Sequence, residues 1–89
     1  MKQRVQEKLS DWLAEPPDGA VVYLLGAGGC GVSTLGHLML DLGLAVSGSD
    51  LKTNTAVRQL QARGADIREG HSQEHLVASQ PSLVIYTSA

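Results

Sequence analysis

Six residues, Gly26-Ala27-Gly28-Gly29-Cys30-Gly31, set glycines at the spacing G-x-G-x-x-G between a short apolar run and a helical pattern. In that context a polypeptide can hold a phosphate with its backbone alone. Gly26 is expected to allow the tight turn out of a strand. Gly28 is expected to bring the main chain up to a phosphate with no Cβ in the way, and Gly31 to let the helix pack close to the sheet. Gly29 lengthens the unobstructed stretch. Val32 and Ser33 complete the candidate loop, and the hydroxyls of Ser33 and Thr34 stand in the first helical turn as possible donors. The helix start adds free N–H groups and a partial positive charge. No Lys-Ser/Thr pair follows the glycines, so this is not a Walker A loop and ATP hydrolysis is not expected from it. Cys30 has no candidate base near it in sequence and is read as a small structural residue.

Four further residues fall where such a loop would need partners. Asp50 closes the second apolar run, about twenty residues beyond the glycines. A carboxylate there either accepts hydrogen bonds from ribose hydroxyls or a base N–H, or starts the turn into the next helix. His71 follows the third run and is either a ligand contact or a solvated loop residue. Thr87 and Ser88 follow the fourth and can donate to phosphate or sugar, or belong to a fraying terminus. His37 and His75 lie on predicted helices and are expected at the surface. No Cys/His spacing matches a zinc site.

The elements that must carry these residues are legible from periodicity. Val5, Leu9, Trp12 and Leu13 line one face of a helix over 2–14, which Pro16-Pro17 and Asp18-Gly19 end. Residues 20–25 (AVVYLL) form a continuous apolar strand, as expected of one covered on both faces. A helix then runs to about Leu42, with Leu35, Leu38, Met39 and Leu42 as its expected buried stripe, and Gly43 ends it. Residues 44–49 make a second strand. Thr53, Asn54 or Thr55 caps the next helix, which turns Val57 and Leu60 inward and ends at Gly64. A third strand covers 65–69, a short helix 73–79 and a fourth strand 82–87. Crossovers of this length permit only parallel pairing. The expected fold is α/β: a Rossmann-like, doubly wound parallel sheet of about four strands in order 3-2-1-4, with an extra N-terminal helix. Residues 1–19 are expected to form the helix and turn, and 20–89 the binding domain. The chain stops directly after a core strand, so a longer parent protein is expected.

Composition narrows the functions. The 89 residues suffice for one small domain, and the net charge of −2 with scattered Lys and Arg excludes the basic footprint of a nucleic-acid binder. A single cysteine points to a reducing compartment. No leader-like or bilayer-length apolar stretch occurs, so a soluble, cytoplasmic protein with no membrane partner is expected.

Beyond the glycine loop, four segments carry a family resemblance: LLGAGGCGVSTLG at 24–36, GLAVSGSDLK at 43–52, LQARGADIREGH at 60–71 and LVIYTSA at 83–89. Their order resembles the N-terminal domain of the Mur ligases, nearest to the branch that adds L-alanine to UDP-N-acetylmuramate. That family usually has isoleucine and methionine where this chain has Ala27 and Val32. The resemblance implies a parent enzyme that uses ATP and magnesium to make an acyl phosphate, which the amino group of L-alanine attacks. In that scheme this domain grips the UDP end of UDP-N-acetylmuramate. Gly26 to Ser33, Asp50, His71, Thr87 and Ser88 would be the contacts. ATP and L-alanine would bind at domains absent from this sequence, so no catalytic residue, cofactor site or metal ligand is assigned. Three alternatives remain open at this point. One is an NAD(P)-binding dehydrogenase domain, although four strands supply only one mononucleotide half. The others are a nucleotide-sensing module and the related ligase that recycles murein tripeptides.

Overall fold

A computed structural model describes residues 10–70 and 73–87. A short helical segment over 10–14 leads into β1 (Val21–Leu25), α1 (Cys30–Asp41), β2 (Ala45–Asp50), α2 (Thr55–Ala62), β3 (Asp66–Glu69), α3 (Gln73–Ser79) and β4 (Leu83–Ile85). The four strands form one sheet in the order β3-β2-β1-β4, and every pair is parallel. This is the expected Rossmann-like arrangement, N-terminal helix included. The predicted helix over 2–14 falls partly outside the described residues.

Alternation along β1 divides the interior. Val22 and Leu24 belong to the main core, together with Val46, Ile67, Val32, Met39, Val57 and Leu60, and Trp12 and Leu13 pack against it. Tyr23, between them, points to the opposite face. There it is fully buried and meets the ring of His75 edge-on at 5.6 Å between centroids. His75 is therefore half-buried over the sheet rather than the surface residue expected from its position on a predicted helix.

The stripe predicted for α1 is rotated. Its buried residues are Val32, Ser33, Gly36 and Met39, whereas Leu35, Leu38 and Leu42 are exposed by 41–47%. The cause is Gly36. A Cβ there would lie 2.6 Å from Leu24 Cδ1 and 3.1 Å from Leu60 Cδ2. The helix therefore rests on its glycine and brings Val32 and Met39, one turn to either side, into the core. The close helix–sheet approach expected of Gly31 is supplied here; a Cβ on Gly31 would meet open space. Gly48 of β2, the register partner of Leu24 in the sheet, is equally crowded, since a Cβ would meet the Leu24 carbonyl oxygen at 2.6 Å and Ile67 Cδ1 at 3.1 Å. Leu24 thus sits between two glycines, and its burial contributes about 1.5–3 kcal/mol.

β4 is shorter than the predicted 82–87. It pairs only with β1, through Val22↔Leu83, Tyr23↔Val84 and Leu24↔Ile85. Because β1 ends at Leu25 and the chain turns away at Gly26, little partner backbone remains beyond Ile85. Tyr86 and Thr87 are exposed.

Candidate functional site

The glycine turn and the ends of β1, β2 and β3 meet at the carboxyl edge of the sheet. Gly26 turns the chain out of β1 with φ +75, a conformation that L side chains rarely adopt. Its N–H and that of Ala27 both donate to the Ser49 carbonyl at 2.9 Å, tying the loop to the end of β2. Ala27 is fully buried in the core, so only its backbone is available to a ligand. The Gly29 N–H closes back onto the Gly26 carbonyl at 2.9 Å, and the Gly29 carbonyl accepts the first bond of α1 from Ser33 N–H at 2.8 Å.

Gly28 is held from both sides by the segment after β2. Its N–H donates to Asp50 Oδ2 at 2.8 Å, while Asp50 Oδ1 accepts the Lys52 N–H at 3.1 Å. The Gly28 carbonyl accepts from Asn54 Nδ2 at 3.2 Å. Asn54 Oδ1 in turn accepts the Val57 N–H at 2.9 Å and so caps α2. A Cβ on Gly28 would lie 2.6 Å from Asn54 Nδ2, so Asn54 occupies the space that glycine leaves open at this position.

What remains for a ligand is the mouth of α1. Gly29 is the N-cap and offers no side-chain oxygen. The N–H groups of Cys30, Gly31 and Val32, in the first turn, have no intrahelical acceptor and no side-chain cap from Gly29, and they carry the partial positive charge of the helix start. Cys30 and Gly31 are exposed; the Val32 side chain is buried in the core. The hydroxyls of Ser33 and Thr34 both donate to the Cys30 carbonyl, at 3.1 and 2.8 Å, so their protons are turned back into the helix. Chemically, the arrangement combines the backbone donors of a helix start with one carboxylate that braces the preceding turn.

The structure brings together Gly26 to Ser33 and Asp50. The Gly70 N–H donates to the Asp50 carbonyl at 2.6 Å, so Gly70 lies directly beside Asp50. His71 and Ser88 lie outside the described residues, and Thr87 lies exposed beyond β4. Sequence reasoning missed the contact of Asn54 with the loop. Asn54 stood only as one of three possible caps, and nothing in local sequence says that a cap reaches a glycine 26 positions away.

A family model described as the Mur ligase family, catalytic domain, matches residues 21–89. The chain belongs to the Mur ligase family. Among curated relatives, this Mur ligase chain is 43% identical over 76 residues to UDP-N-acetylmuramate–L-alanine ligase of Mycolicibacterium smegmatis, covering 83% of the chain and 16% of that protein. It is 46% identical over 70 residues to the protein of the same name from Mycobacterium sp. (strain JLS), covering 76% and 14%. It is 43% identical over 68 residues to that of Chlorobaculum tepidum, again covering 76% and 14%. The chain thus spans about a sixth or less of the length of these relatives. No helix among the described residues of this Mur ligase chain is long and apolar enough to cross a membrane.

Proposed function

We propose that this chain is the substrate-gripping domain of an ATP-dependent UDP-N-acetylmuramate–L-alanine ligase, acting in the cytoplasm on a peptidoglycan precursor. The N–H groups of Cys30, Gly31 and Val32 would cradle the diphosphate of UDP. Asp50 would accept from the ribose or uracil with the lone pairs that Gly28 and Lys52 leave free. Residues 20–89 would form the binding unit, with 1–19 as an appended helix and turn.

The observation that carries this reading is the start of α1, whose first-turn N–H groups have no intrahelical acceptor and no side-chain cap from Gly29, in a chain of this family. Val32-Ser33-Thr34 follows the glycines in place of a Lys-Ser/Thr pair, so ATP hydrolysis is not expected from this loop. L-Alanine, ATP and the chemistry of amide formation would belong to other parts of a longer protein.

Ligand-observed NMR on the purified chain, with UDP, UDP-N-acetylmuramate, NAD and ATP in competition, tests the proposal. The uridine ligands are expected to bind weakly, with Kd on the order of 0.1–1 mM, because the contacts and preorganisation of other domains are missing. No phosphate release from ATP is expected. Preference for NAD, or robust ATP hydrolysis, would overturn the reading.

A further inference from the structure

The Gly28–Gly29 peptide is the weak point of the loop. With glycine on both sides, it has the lowest barrier of any peptide in the segment to turning over. A turned peptide would exchange the directions of the Gly28 carbonyl and the Gly29 N–H, setting that carbonyl against the Gly26 carbonyl and displacing Gly29, the N-cap of α1. Two hydrogen bonds oppose this. One runs from Gly29 N–H to the Gly26 carbonyl at 2.9 Å, the other from Asn54 Nδ2 to the Gly28 carbonyl at 3.2 Å.

We propose that Asn54 is a positioning residue: its side-chain amide locks the Gly28–Gly29 peptide and so keeps the donors of α1 facing the ligand. The inference deepens the diphosphate-binding reading and rests on it. Asparagine suits the task because its two ends differ. Oδ1 must face the Val57 N–H, which leaves Nδ2 facing the Gly28 carbonyl, so one amide serves both a helix cap and the loop. Aspartate and serine cap helices about as well. Aspartate has no proton to give the Gly28 carbonyl, and serine is too short to reach it. The contact is also tight, since the space above Gly28 is filled by the same amide. Asn54 therefore couples the loop to the start of α2, across the mouth of the site.

The test uses Asn54→Ser and Asn54→Asp in the full chain, with three readouts: melting temperature, UDP affinity and hydrogen exchange at the Gly29 amide. Both variants keep the cap, so the drop in melting temperature is expected not to exceed that of the one lost hydrogen bond, about 4–8 °C per kcal/mol in a domain of this size. Asn54→Ser, which adds no charge, is expected to weaken UDP about three- to tenfold, the value of one neutral hydrogen bond. Gly29 exchange is expected to accelerate in both variants while core amides stay protected. Wild-type UDP binding and Gly29 protection in Asn54→Ser would overturn the proposal. If wild type itself fails to bind UDP, the diphosphate reading falls. The lock is then judged by Gly29 exchange alone, and unchanged protection in both variants would sink it.

Discussion

Asp50 is the residue on which recognition and structure are hardest to separate. Its carboxylate braces the Gly28 and Lys52 N–H groups, one on each oxygen. Removing it leaves two backbone donors without their acceptor, so Asp50→Ala is expected to slacken the loop as well as lose any ribose contact. UDP affinity should fall roughly tenfold or more, the value of a hydrogen bond to a charged acceptor of about 1.5–3 kcal/mol. Inorganic pyrophosphate should weaken too, by less. Asp50→Asn keeps one oxygen for one of the two N–H groups and should fall between. Calorimetric titrations of both ligands check this. Undiminished UDP binding by Asp50→Ala would remove Asp50 from the site. That this aspartate and the glycine turn meet at one edge of the sheet was legible because both follow the ends of strands. The Asn54 contact was not legible, because it depends on how the 51–54 segment folds back across the loop.

At the scale of elements, α1 separates what periodicity can reveal from what packing decides. Helix limits and strand order followed from apolar periods and glycine punctuation. The buried face did not, because Leu35, Leu38 and Leu42 outweigh Gly36 in any hydrophobic pattern, while contact distance favours the glycine. Two substitutions test this account. Gly36→Ala drives a methyl into Leu24 and Leu60 and should destabilise by about 1–3 kcal/mol. Gly31→Ala points into open space within a helix and should stabilise by about 0.5–1 kcal/mol. Thermal melts showing the opposite order would refute the packing described for α1. At the sheet edge, the hydrogen bond from Arg68 to Asp66 at 2.9 Å holds the Asp66 carboxyl below the ordinary carboxylate range, outweighing its desolvation, with smaller charge contributions from Arg68 and His75. The folded state thus favours the ionised form. This stabilisation is present above the ordinary carboxylate range and is lost as pH falls through the lowered value. Both side chains are more than half exposed, so Asp66→Asn should cost under about 1 kcal/mol at neutral pH and nothing in acid. A cost that persists in acid would mean that the ion pair is not its source.

For the whole molecule, a small parallel sheet presents the glycine loop and Asp50 at its carboxyl edge, and the ligand the chain selects there decides the account. The chain spans about a sixth or less of its curated relatives, so affinity will be low and location is the informative quantity. The most direct measurement is an amide-resolved NMR titration of the chain with UDP-N-acetylmuramate. The largest shifts are expected at the Cys30, Gly31 and Val32 amides, with smaller ones at Gly28 and Asp50 and none at the opposite edge around Pro17 and Leu44. Half-saturation is expected at about 0.1–1 mM ligand, the order of affinity set by one loop and one carboxylate. Shifts confined to residues away from the glycine loop, or none at the α1 amides when NAD or ATP moves them, would contradict the central claim.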